Sequence, residues 1–329
     1  MSGARVLVTG ATGFLGGYVL RDLRDHGFEV FAAGRNASRL GDLVDEVHRV
    51  PGDLASLRSR ELPVDAVIHC AALSTPWGRW SEFRQANVDG AAHVAEFARR
   101  NGARRVVHVS SPSIYAAARD RTDIRERDVN TGNRLNGYIR SKILAEQLLQ
   151  SARRRDEIRE LVIVRPRGLI GVGDPSLVPR LLDVHARFGV PLFDGGQNLI
   201  DVTAVENVAS ALRLALTAGD PNGGVYNVTN GEPRPFRDLL ERLLALAGAQ
   251  PRFRVANRRA AWAAAASLEA VCRILPGRPE PALTRYTLST IAYSQTLDIS
   301  RARRDLGYVP TVTLDDALAA VAADLRSAA

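Results

Sequence analysis

Short runs of apolar, mostly β-branched residues recur along the first 170 positions: RVLVTG (5–10), FEVFAAG (28–34), DAVIHCAA (65–72), RRVVHVSS (104–111) and ELVIVRP (160–166). They are close to continuously apolar, without the alternation expected of a strand with one wet face. Between them lie segments with helical spacing at 14–25, 82–100 and 137–153. Strands buried on both faces and joined by helices form a parallel sheet, so the chain reads as α/β with a doubly wound sheet. After Pro166 the pattern turns irregular. GVGDPS (171–176) and FDGGQN (193–198) are rich in turn formers, whereas a helix at 206–218 and a strand at 224–230 read as a return to the main sheet. One unit is then residues 1–170 with 199–230 rejoining it, and a smaller, mostly helical unit is built from 171–198 and 231–329.

Composition removes several classes of protein. Hydrophobic residues make up 46% and charged residues 24% of the 329 positions, which supports an ordered core rather than disorder. The longest apolar stretch, 260–275, is interrupted by Ser267, Glu269 and Arg273 and is too polar to span a bilayer. The N-terminal MSGARVLVTG enters a strand with no signal-peptide layout, and two cysteines, Cys70 and Cys272, make neither a disulfide framework nor a zinc site. A cytoplasmic protein is expected, with no metal site and no membrane span. A net charge of +8 raises the question of nucleic acid. The basic residues are scattered, however, and Asp156 and Glu157 directly follow the densest run, Arg153 to Arg155, so no nucleic-acid partner is expected. More telling is that, of 44 basic residues, all but Lys142 are arginine.

Between the first strand and the first helix lies TGATGFLG, which sets Gly10, Gly13 and Gly16 at three-residue intervals, with Thr12, Phe14 and Leu15 completing the loop. Glycines at a strand-to-helix turn let the backbone approach a pyrophosphate, whose charge the helix N-terminus favours. A dinucleotide site is the reading. NAD sites tend to place an acid at the end of the second strand, about 20 residues on, for the ribose 2′-hydroxyl. Here Phe31 to Asn36 contain no acid, and Arg35, with Arg39 one turn later, stands where a 2′-phosphate would lie. This favours NADPH over NADH, against the alternative that both arginines are merely solvated. Asp53, in GDL with Leu54, is either an adenine contact or a helix N-cap.

Tyr138 and Lys142 form a Y-x-x-x-K pair, which a helix presents on one face. A phenol needs a downward shift of about two to three units, roughly 3–4 kcal/mol, to exchange protons near neutrality. One ammonium about 4 Å away, at an effective dielectric of about 20, supplies about that much. Lysine is expected to tune the phenol and to bond a cofactor ribose, roles a planar guanidinium fills poorly. In a chain so short of lysine the spacing is rarely accidental. A third hydroxyl should come from VSSPSIY at the end of the preceding strand, which offers Ser110, Ser111 and Ser113, unless these only cap and turn the chain.

TGATGFLG, the HCAA strand end, VSSPSIY, YIRSK and DISRARRDLGYVP together resemble the extended short-chain dehydrogenase/reductases over nearly the whole chain. The resemblance implies a Rossmann-type domain with a smaller substrate domain, a homodimer, and hydride transfer between a nicotinamide and a carbonyl or alcohol carbon. It selects Ser111, four residues before Tyr115, as the catalytic serine, with Tyr138 as general acid/base and Lys142 as its tuner and ribose contact. It further implies that Ala71 and Ala72 line the cofactor and that the backbone near Pro166 approaches the nicotinamide.

Nucleotide-sugar epimerases of that family often hold their substrate by an asparagine where VRPRGLIG has Arg167 and Gly168, and SSPSIY lacks the Thr-Asp-Glu set of sugar dehydratases. ALSTPWGRW and SSPSIY look more like the 3β-hydroxysteroid dehydrogenase-like branch, and most like its 2-alkyl-3-oxoalkanoate reductases. Reduction of a ketone, a hydrophobic β-keto acid or ester, is the expected reaction. A nucleotide-sugar epimerase or reductase, or a non-catalytic NADP(H) sensor, is the alternative. Trp77, Ser113 and Arg167 are the candidate substrate contacts, with Trp77 and Trp80 following the fourth strand on the rim where open sheets bind ligands. The apolar helix at 260–275 either lines a greasy pocket or packs in the core or a dimer.

Overall fold

Seven parallel strands make the central sheet of the computed structural model, which describes residues 3–328. They are β1 (Arg5–Thr9), β2 (Glu29–Gly34), β3 (Arg49–Pro51), β4 (Ala66–His69), β5 (Arg105–Val109), β6 (Glu160–Pro166) and β7 (Asn222–Val228). Their spatial order is β7-β6-β5-β4-β1-β2-β3, so the winding reverses between β1 and β4. At such a reversal the loops leaving the two strands diverge and open a crevice beyond their carboxyl ends.

Side chains alternate between two cores. On one face Val6, Val8, Ile68, Val107, Val162 and Val164 pack against α1 (Phe14–Asp25); on the other, Leu7, Val67, Val106, Leu161 and Ile163 pack against α2 (Gly90–Asn101) and α3 (Gly137–Arg154). Both faces are dry, which is why the strands read as continuous apolar runs, and burying each such side chain contributes about 1.5–3 kcal/mol. α4 (Val205–Leu214) covers the α1 face with Val208 and Leu212. β7 then extends the sheet beyond β6, with Val228 opposite Pro166.

Beyond the carboxyl edge the rest of the chain forms short ribbons and helices. A four-stranded ribbon is assembled from Arg234–Pro235, Leu199–Ile200, Gln295–Leu297 and Arg121–Ile124, segments distant in sequence. A separate cluster joins Leu239 and Leu243 to Leu314, Leu318 and Val321 of the last helix. α5 (Arg258–Ile274) begins at Asn257, whose side chain accepts a hydrogen bond from Ala260 N at 3.1 Å. It is not a core helix: within it only Ala265 and Glu269 are buried, and Ile274 is 84% exposed. Among the described residues no helix is long and apolar enough to cross a membrane.

Candidate active site

The glycine loop closes as a turn in which Gly13 N donates to Gly10 O at 2.9 Å, with Gly10 at φ +70°. A Cβ on Gly10 would come 2.7 Å from the Ala71 nitrogen, and one on Gly16 would overlap the Gly10 carbonyl. α1 starts with no side-chain cap and no acid in its first turn. A cradle free of side chains under an uncapped helix start fits a dinucleotide pyrophosphate, which first-turn N–H groups would hold. Thr12 packs across to Gly34, where a Cβ would lie 3.1 Å from Thr12 Oγ1. The Phe14 ring turns edge-on to Tyr18 at 5.6 Å and Leu15 packs on the core.

Arg35 and Arg39 are exposed beyond the end of β2, and Asn36 caps the turn between them by accepting from Arg39 N at 3.0 Å. Asp53 Oδ1 accepts from Ser56 N at 2.9 Å, which is the capping role, and Leu54 packs against Gly90 of α2. Ala71 and Ala72 follow β4 at the crevice, and Pro166 ends β6 on its far side.

α3 is set by Asn136, whose Oδ1 accepts from Ile139 N at 2.8 Å, and it delivers Tyr138 and Lys142 buried on one face. Lys142 Nζ donates to the carbonyl of Val109, the last residue of β5, at 2.8 Å. Burial pulls its pKa down to about 8 against the opposing pull of Glu146 and Cys70. The Ser111 and Ser74 hydroxyls act on the Tyr138 phenol to lower its pKa, but burial outweighs them and the net shift is upward. This corrects the expectation from charge spacing: the ammonium is turned to a backbone carbonyl, and desolvation of the phenolate dominates. Of the three serines, Ser111 is the one that acts on the Tyr138 phenol, and it accepts from Ser113 N at 3.2 Å. Ser110 and Ser113 are buried, with hydroxyls that have no partner among the described residues.

Other residues at the site went unread in the sequence. Segment 82–100 is not one helix: Trp80–Phe83 passes through a π-turn, Arg84–Asp89, before α2 begins. The wider turn holds Asn87, which accepts from Leu73 N at 2.7 Å and donates to Leu73 O at 3.1 Å and Ser141 Oγ at 2.8 Å. Asn87 thereby ties the loop after β4 to the Tyr138 helix, a position π-turns often mark. A polar residue inside the apolar helical stripe was its one signal. Tyr286 arrives from the helix Arg285–Ile291, and Tyr138 and the Arg167 guanidinium both act electrostatically on its phenol.

His69 of β4 and His108 of β5 stand side by side with ring centroids 5.2 Å apart. His69 Nδ1 bonds Thr9 Oγ1 at 2.7 Å, while burial pushes its pKa down to about 3 and drives His108 well below the ordinary range. Cys70 is a free thiol pushed up to about 12 by burial, so it stays protonated and inert as a nucleophile. Among the described residues no His, Cys, Asp and Glu group could hold a metal.

Of the candidate substrate contacts, Trp77 donates Nε1 to Arg278 O at 2.9 Å, beneath the Arg273 guanidinium of α5. Ser113 lies in the turn Pro112–Tyr115, and Arg167 is buried one residue beyond β6 with Nη1 on Gln295 Oε1.

The chain matches the NAD dependent epimerase/dehydratase family over residues 6–229. It is 34% identical over 324 residues to a 2-alkyl-3-oxoalkanoate reductase of Stenotrophomonas maltophilia, covering 95% of this chain and 97% of that protein. It is 30% identical over 333 residues to a decarboxylating sterol-4-alpha-carboxylate 3-dehydrogenase of Schizosaccharomyces pombe, covering 95% of each. The solved complex of MoeE5 with UDP-glucuronic acid and NAD shares the fold, with a TM-score of 0.76 over 99% of this chain and 100% of that one at 24% identity. The glycine cradle, the Tyr138–Lys142 helix and these end-to-end similarities place the chain in the NAD dependent epimerase/dehydratase family, among the extended short-chain dehydrogenase/reductases, as an NAD(P)-dependent oxidoreductase.

Proposed function

We propose that this protein reduces the ketone of a hydrophobic substrate to a secondary alcohol, reversibly and with NADPH. The observation that carries the proposal is the burial of Tyr138 and Lys142 on one face of α3, with Lys142 Nζ hydrogen-bonded to the end of β5 two residues before Ser111. The nicotinamide dinucleotide, when bound, supplies the hydride. Ser111 holds the substrate oxygen beside Tyr138, whose hydroxyl gives its proton to that oxygen as charge develops there. A phenol that burial keeps protonated is a donor throughout the neutral range, and the Ser111 and Ser74 hydroxyls act to ease the phenolate left behind. The raised pKa therefore suits the reductive direction. Arg35 is offered to a 2′-phosphate, and the similarity to an oxoalkanoate reductase supports a β-keto substrate.

The test is nicotinamide oxidation, NADPH against NADH, with a 2-alkyl-3-keto acid, its methyl ester, a 3-ketosteroid and a UDP-sugar. Turnover of the ketones with NADPH preferred is expected. Cofactor binding without ketone turnover, together with interconversion of the UDP-sugar, would replace this reading by epimerisation.

A further inference from the structure

We propose that Arg167 is the anchor for a free carboxylate on the substrate, so that the site takes a keto acid in preference to its ester. The inference rests on the ketone-reduction reading and narrows its substrate class.

Two arginines, two residues apart, show the contrast. Arg165 is buried and fully answered: Nε and Nη2 meet the Glu146 carboxylate at 2.8 and 2.5 Å, and Nη1 reaches the Glu126 carbonyl at 2.8 Å. Arg167 is buried as well, only 7% exposed, but its one side-chain acceptor is the neutral amide oxygen of Gln295. Its Nε has no acceptor among the described residues. The acid that acts on it, Asp201, is committed elsewhere, accepting from Leu297 N at 2.7 Å, and forms no ion pair with it among the described residues. Pairing with Glu146 raises the pKa of Arg165, whereas burial lowers that of Arg167. A guanidinium held out of water without an anion is expensive, and arginines are almost never fully buried unless paired.

The position fits a substrate anion. Arg167 lies one residue past β6 at the carboxyl edge of the sheet, and neighbouring β5 leads into Ser111. Tyr138 and the Arg167 charge both act electrostatically on the Tyr286 phenol, so the proton donor and the cation lie within charge range of one side chain. The backbone is pinned on both sides, with Arg167 N donating to Val228 O at 3.1 Å and Thr203 Oγ1 donating to Arg167 O. Gln295 holds Nη1, which leaves the edge formed by Nε and Nη2. That edge is the fork a carboxylate takes with two parallel hydrogen bonds.

β-Keto acids decarboxylate, so the stable product pair is the better probe: a 3-hydroxy acid and its methyl ester, titrated by calorimetry into the NADP-loaded protein. Wild type is expected to bind the acid at least about 100-fold more tightly than the ester, because a site built for a polar group rejects an analogue that leaves its own group unpaired. Arg167→Gln should lose that preference while its affinity for the ester stays put. Gln295→Glu, which supplies an internal carboxylate to the same guanidinium, should also lose acid binding yet melt no lower than wild type. Equal binding of acid and ester by wild type would overturn the proposal, as would an undiminished preference in both variants. Turnover of the corresponding keto acid is read separately. Acid-selective binding without any turnover would sink ketone reduction and leave the carboxylate anchor standing.

Discussion

Lys142 Nζ stands 2.8 Å from the carbonyl oxygen of Val109, so the chain's one lysine leaves α3 to tie that helix to the end of β5. The same burial that fixes it lowers its pKa to about 8. Its ammonium fraction then falls as pH rises through 8, and kcat/KM for ketone reduction is expected to decline on that alkaline limb. Linkage gives a second consequence. The unfolded chain keeps this proton up to about 10.5 and the folded chain releases it near 8. Holding the charge at pH 7 therefore costs about 3 kcal/mol of stability, a penalty relieved only as pH rises from 8 towards 10.5. Lys142→Met should be inactive yet no easier to unfold in urea at pH 7. A variant several kcal/mol less stable than wild type would refute that account.

Tyr138→Phe removes the proton donor and keeps the ring in place against Phe83, 6.3 Å away. A loss of about 10²–10⁴-fold in kcat is expected from loss of general acid catalysis. NADPH affinity, measured by nucleotide fluorescence, should barely move. Full activity in this variant would mean that the proton comes from another group.

The parallel sheet could be read from the sequence because each strand carries its own signal: with both faces buried, apolar residues run without interruption and glycines mark the exits. The Tyr138–Lys142 pair was readable for a related reason, since a spacing of four is a local property of a helix. What could not be read depends on partners far along the chain. Asn87 needs Leu73 and Ser141 to justify a π-turn inside an otherwise helical pattern. Gln295 meets Arg167 only after the ribbon Gln295–Leu297 has been laid across the carboxyl edge. The rise in the Tyr138 pKa was missed because charge spacing is written in the sequence and desolvation is not. For the helix Arg258–Ile274 an apolar composition admitted a core position beside a pocket lining or a dimer contact, and the fold removes the core reading by leaving Val271 and Ile274 in the open.

Arg35 is exposed at the end of β2, where no acid competes for it in Phe31 to Asn36. A charge-assisted contact to a 2′-phosphate is worth about 1.5–3 kcal/mol. Arg35→Ser should therefore raise KM for NADPH by about 10–100-fold and leave KM for NADH nearly unchanged. Initial rates with both nucleotides decide it, and a parallel rise in both constants would place Arg35 outside the phosphate site.

His69 and His108 lie with ring centroids 5.2 Å apart and three ring nitrogens that find no partner among the described residues. Burial first, and then the Lys142 charge, keep both rings neutral, with His69 held down to about 3. The unfolded chain binds a proton at each imidazole below about 6.5 and the folded chain does not. The stability that both rings leave intact above pH 6.5 is accordingly lost as pH falls from 6.5 towards 3. At pH 5 the share due to His69 is about 2 kcal/mol, and His108 acts in the same direction. Urea midpoints between pH 7 and pH 4 should fall steeply in the wild type and less steeply in His108→Phe, which also removes two buried nitrogens that nothing satisfies. Coincident slopes for the two proteins would show that the His108 imidazole titrates in the folded state after all.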